Sequence, residues 1–202
     1  MRRLALLLVV MLSAVIAAAD IEFLNVWRSP EVSRLNFAGK KVAAMVITDD
    51  LSLQMSGEEA LSRELAALGV TPAATYRFVP REELKSPERA KPWFEKSGVQ
   101  GVVALRPVSR DTVKSYSPSI WVSTFYSSYW DYYTYGWGAV YAPSRTSTSI
   151  VVVVETLVFD LTRNQLVWAA TAETKDPKNL QTFVADLVKA AVAEMKKMKL
   201  VG

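Results

Sequence analysis

The groupings in this chain whose types and spacing suit chemistry are two carboxylate pairs. Asp49 and Asp50 follow the apolar run Val42 to Ile47, and the carboxyl end of a strand in an open α/β sheet is where such folds gather ligands. Their oxygens suit a hard cation such as Mg²⁺. Adjacent aspartates also solvate a turn and assist a following helix N-terminus, and this is the preferred reading. Glu155 and Glu173 lie on either side of a turn signal at Asn164; strands pairing around it would bring the two carboxyl groups near each other, the arrangement glycoside hydrolysis uses. Charges on the solvent face of a hairpin account for them equally, and that reading is preferred too.

Composition excludes most other chemistry. The 202 residues include no histidine and no cysteine, which removes His-based triads, Cys nucleophiles, His- or Cys-bearing zinc sites and disulfides. Gly57, Gly69, Gly98 and Gly101 do not fall into a phosphate-loop or dinucleotide spacing. No cofactor is implied, and the chain reads as a non-enzyme.

The elements that must position any site follow from periodicity. Lys41 to Thr48 holds the continuous apolar run of a strand buried on both faces and is expected at the sheet centre. Ser56 and Glu59 have capping-box spacing ahead of a Leu61, Leu65, Leu68 stripe, with Gly69 suited to the helix end. A second strand is expected over Val70 to Val79. Ser86 and Pro87 open another helix, short or kinked at Pro92 and ending at Ser97-Gly98. A third strand covers Val99 to Val108, with Val102, Val103, Ala104 and Leu105. Ile150 to Leu161 and Leu166 to Thr174 form an antiparallel hairpin turning at Asn164, with Trp168 in the core. A final helix, capped at Asp176-Pro177, carries Leu180, Phe183, Val184, Leu187, Val188, Ala191 and Met195 on one face. Ile21 to Lys40, containing Trp27-Arg28-Ser29-Pro30, reads as an extended strap. The expected fold is a single α/β (α+β) domain over 41–202: a mixed five-stranded sheet, β-α-β-α-β-(insert)-β-β-α, with three parallel strands plus an antiparallel hairpin and three helices.

Between the third and fourth strands lies the most distinctive stretch, Ser115 to Ser147. It holds Tyr116, Trp121, Phe125, Tyr126, Tyr129, Trp130, Tyr132, Tyr133, Tyr135, Trp137 and Tyr141 against only Asp131 and Arg145 as charges. Alternation from Trp121 to Tyr126 suggests a strand, and the whole a projecting hairpin or a low-complexity segment. Four roles fit: anchors for an envelope protein or a second copy, rings that stack on glycan, contact with a membrane surface, or a seal over the sheet. Nucleic acid is disfavoured, since base stacking wants interleaved Lys and Arg.

The N-terminus sets the compartment. Met1-Arg2-Arg3, the apolar run Leu4 to Ile16 and Ala17-Ala18-Ala19 have the order of a signal peptide, 1–19, with cleavage between Ala19 and Asp20. The apolar stretch is short for a membrane span, which needs about 20 apolar residues. Removal of Arg2 and Arg3 lowers 24 basic residues to 22 against 20 acidic, too even a balance to attract nucleic acid. With no cysteine to acylate, the expectation is a periplasmic or exported protein that is not a lipoprotein.

On the Trp27 to Pro30 lead-in, the strand after Phe37, the aromatic segment before a valine-rich strand, and the run from Thr156 to Trp168 followed by a last helix, the chain resembles a diffuse group of bacterial envelope proteins, many of them lipoproteins. The resemblance implies an α/β domain similar to those of curli-secretion and Tol-associated accessory proteins, acting in envelope assembly or maintenance. It carries no catalytic residue, and the missing acylated Cys departs from the lipoprotein members. The combined reading is a non-enzymatic interaction protein whose aromatic insert is a contact arm dispensable to the fold, with a cell-wall glycan binder or carboxylate-dependent cell-wall enzyme as the alternative.

Overall fold

The computed structural model describes residues 21–109, 118–141 and 151–201; the expected signal peptide, 1–19, and Tyr116 lie outside them. Six strands form one mixed sheet: β1 Glu22–Arg28, β2 Lys41–Val46, β3 Thr71–Ala74, β4 Gly101–Pro107, β5 Val151–Asp160 and β6 Gln165–Lys175, in the order β1-β6-β5-β4-β2-β3. β2 pairs in parallel with β3 and β4, and the remaining pairs are antiparallel. The helices are α1 Leu51–Ala67, α2 Pro87–Ser97, α3 Tyr129–Gly138 and α4 Leu180–Lys197.

The sheet therefore has six strands, not five. The added one is β1, in the segment read as a strap. It is an edge strand whose register slips between Phe23 and Asn25, and that irregularity erases the alternation by which a strand is recognised. β2 is buried along its length, yet it stands one place from the edge, and the centre belongs to β4 and β5. The strand expected over Val70 to Val79 stops at Ala74, where a 3-10 turn over Thr75–Arg77 begins. Gly98 ends α2 in the left-handed region (φ 69°) and Asn164 turns the hairpin (φ 50°), as their types predict.

Two helix starts move from their expected places. α1 begins at Leu51 with Asp50 as its N-cap, the Asp50 Oδ1 accepting from Leu53 N–H at 3.0 Å. Ser56 to Glu59 thus lies inside the helix. Gly57 lets α1 approach β2, since a Cβ there would meet Val46 Cγ2 at 3.0 Å. α4 is capped by Asn179, which accepts from Thr182 N–H at 2.9 Å, and not by Asp176.

Both faces of the sheet are covered. α1 and α4 pack on one, where Leu61, Leu65, Leu187 and Ala191 meet Val42, Ala44, Val103, Val158 and Trp168. The other face carries Ala43, Met45, Val102, Ala104, Leu157 and Phe159; α2 and the aromatic insert cover it. Over its described residues, 118–141, the insert is neither strand nor projecting hairpin. Two 3-10 turns, Pro118–Val122 and Thr124–Tyr126, lead into α3, and this assembly is half of a layer.

Candidate functional site

The insert's local structure has a simple cause. Ser128 caps α3, its Oγ accepting from Asp131 N–H at 3.1 Å. From there Tyr129, Tyr132, Tyr133, Gly136 and Trp137 recur at helical spacing and are the buried residues of α3. Asn164, at the hairpin turn, reaches across to accept from Tyr129 N–H at 3.2 Å. Gly136 lets the helix pack against Ile47, the residue after β2: a Cβ would lie 2.8 Å from Ile47 Cδ1.

The rings interlock with the sheet. Tyr132 stacks on Phe159 at 5.4 Å and on Tyr126 at 5.5 Å, and Tyr129 meets Phe159 edge-on at 5.4 Å and Phe94 at 5.5 Å. Tyr129 OH contacts Met45 Sδ, and Tyr133 OH donates to the Leu84 carbonyl. Burial raises the Tyr129 and Tyr133 hydroxyls well above the ordinary tyrosine range, so both stay neutral.

Beneath the 3-10 turns sits a buried ion pair that the sequence reading missed. Arg106 and Glu155 are register partners on β4 and β5, 2% and 0% exposed. Arg106 Nε and Nη2 donate to Glu155 Oε2 at 2.9 and 2.8 Å. Tyr126 OH and Trp121 Nε1 donate to Glu155 Oε1 at 2.8 and 3.3 Å. Arg106 Nη1 donates to the Ala139 carbonyl at 3.2 Å, and the guanidinium lies 5.0 Å from the Tyr135 ring. One carboxylate thus fastens the turns, and one guanidinium the end of α3, to the same point on the sheet. Glu155 and Glu173 are both buried rather than solvent-facing, and Trp121 and Tyr126 of the insert close over Glu155. They are not opposite each other: Glu155 faces Thr171 and Glu173 faces Val153.

The eleven candidate contact residues divide accordingly. Trp121, Tyr126, Tyr129, Tyr132, Tyr133 and Trp137 are buried, which corrects the expectation of an arm unneeded by the core. Trp130 and Tyr135 are half-buried, Trp130 against Phe94 at 5.5 Å. Phe125 is 56% exposed, stacked on Tyr135 at 5.3 Å; Tyr141 is 37% exposed, and Val122, near Phe125 in sequence, is 68% exposed.

At the other candidate site, Asp50 is engaged as the α1 cap, and Asp49 pairs with Lys85 while its carbonyl accepts from Arg81. Among the described residues no group of three or more His, Cys, Asp or Glu side chains converges as a metal site. A third buried carboxylate, Glu58, lies nearby. It accepts from Val46 N–H at 3.1 Å, Tyr76 N–H at 2.8 Å and Gln54 Nε2 at 3.2 Å, satisfying backbone donors where β2 and β3 part. Burial lifts its pKa to about 7 against the pull of those donors.

Fold and site together define a three-layer α/β protein with an aromatic helix built into one outer layer. Its architecture is similar to the PelC dodecamer structures from Paraburkholderia phytofirmans (14% identity, TM-scores 0.45 and 0.44, covering 82% and 81% of this chain and 93% and 91% of those). It is also similar to Lipoprotein GNA1162 from Neisseria meningitidis (13% identity, TM-score 0.41, 79% of this chain and 99% of that one). These are loose likenesses of architecture. No family model matches the sequence, and no curated protein does. Among the described residues no helix is long and apolar enough to cross a membrane.

Proposed function

We propose that this chain is a non-enzymatic interaction protein of the bacterial cell envelope, delivered by its leader to the periplasmic side, whose contact surface is the outer ridge of the aromatic insert. The observation that carries the proposal is Phe125. A large ring stands 56% exposed near the 68% exposed Val122, backed by Tyr135, whose ring lies 5.0 Å from the buried Arg106 guanidinium. Rigid aromatic anchors on a preorganised support are what protein interfaces use. The occupant is an envelope protein or a second copy of this chain. Full burial of a Phe or Val side chain is worth about 1.5–3 kcal/mol, so V122S/F125S should weaken association at least tenfold while leaving the melting temperature unchanged. Sedimentation of the purified chain and crosslinking in an envelope fraction read the two cases. Unchanged sedimentation together with an unchanged crosslink pattern in the double variant would remove this ridge as the contact surface.

A further inference from the structure

A second site lies on the face of the sheet away from the insert. The loop 34–38, the end of α1 and the last turn of α4 enclose an apolar cleft of ≈ 650 Å³, within the size range of small-molecule sites. It borders a smaller cavity of ≈ 50 Å³ between the sheet and the two helices: Leu65, Leu68, Val103, Val158, Val192 and Met195 line both. The inner cavity's open surface is carbon. The outer cleft has two charged residues, Arg34 and Lys196, both cations; among the described residues no carboxylate lines it. Neither cation forms an ion pair among the described residues. Leu68, 48% exposed, stands at the mouth.

We propose that this cleft binds a long-chain carboxylate, a free fatty acid. Its alkyl chain would run past Leu68 toward Val103 and Val158, and its head would meet Arg34 and Lys196. The grounds are the polarity gradient, from two unpaired cations outside to a carbon-walled interior, and the charge complementarity of that rim with an anion. Arginine suits a carboxylate by its planar fork of donors. At the helix ends beside the cleft the Leu65 carbonyl is used by Leu68 and Val70 N–H and the Met195 carbonyl by Leu200 N–H.

The test is cis-parinarate fluorescence with the full chain, displaced by dodecanoate or by dodecyltrimethylammonium, each below its micellar concentration. Parinarate should bind, and dodecanoate should displace it at a concentration at least tenfold lower than the cation does. R34A/K196A should remove that preference without moving the melt, L68W should weaken both ligands by blocking the mouth, and V122S/F125S should change nothing. Absence of parinarate binding, equal displacement by the cation, or a preference that survives R34A/K196A overturns the assignment. So does binding lost in V122S/F125S, which would place the probe on the insert. A concentration-dependent dimer dispersed by L68W, with no parinarate bound, would give the cleft to a second copy and equally overturn it.

Discussion

Replacing Glu155 with leucine keeps the side chain's bulk and strips Arg106 of its counter-ion at a position 2% exposed. Removing one partner of a buried pair costs about 3–5 kcal/mol, because the remaining charge is left in a medium that cannot solvate it. Trp121 Nε1 and Tyr126 OH lose their acceptor as well, which places the cost at the upper end of that range. Against the roughly 5–15 kcal/mol of a whole domain, this is a large fraction, and at about 2–4 °C per kcal/mol it lowers the melting temperature by roughly 6–20 °C. The assay is urea and thermal unfolding followed by near-ultraviolet circular dichroism, which reports the packed rings directly. R106M/E155L removes both charges together and should recover most of the loss, since a buried pair replaced by apolar residues of similar volume is often neutral or better. An E155L melt within about 0.5 kcal/mol of the parent, or a double variant less stable than E155L, would mean that this pair does not fasten the insert to the sheet.

Glu58 makes stability depend on pH in the direction opposite to a salt-bridged acid. Its folded pKa of about 7 exceeds its unfolded value of 4.5, so the native state holds the proton more tightly. Its contribution is complete below pH 4.5 and fades as pH rises to about 7, a loss of about 3 kcal/mol; E58Q should flatten that slope in urea melts run across the window. D50A should cost about 1 kcal/mol by deleting the α1 cap, while D50N should cost little, since Asn caps as well as Asp. Mg²⁺ should leave the melting temperature of the parent unchanged. G101A should cost about 1–3 kcal/mol by overpacking, because its Cβ would fall 2.8 Å from the Phe37 ring and 3.2 Å from the Phe159 carbonyl; calorimetry reads it.

Much of the frame was legible because local signals and burial agreed there. The valine runs of β4 and β5, Asn164 at the turn, Ser86-Pro87 and Gly98 bounding α2, and the apolar stripe of α4 each state their structure within a few residues. The insert was illegible for a different reason. Aromatic residues lose side-chain freedom in helices and are modest helix formers, and two glycines inside α3 weaken the local preference further. What settles α3 is tertiary: Tyr132 on Phe159, Gly136 against Ile47, Asn164 at its N-terminus. The spacing of Tyr129, Tyr132, Tyr133, Gly136 and Trp137 behind Ser128 was the available signal, and it is a helix pattern once tyrosine is counted as a core residue. Glu155 read as solvent-facing because its partner, Arg106, stands 49 residues earlier at the end of an apolar strand. Only the β4–β5 register brings them together. A charge that follows a run of valines on a strand otherwise buried on both faces is a sign of a hidden partner, not of solvent.

Native-state hydrogen exchange across α3 tests most directly whether the insert is a layer of the core. The amides of Tyr132, Tyr133 and Gly136 should open with the same free energy as those of Val103 and Leu157 in β4 and β5, and E155L should lower both sets together. Exchange of α3 at rates near those of an unstructured peptide, with β4 and β5 still protected, would contradict this.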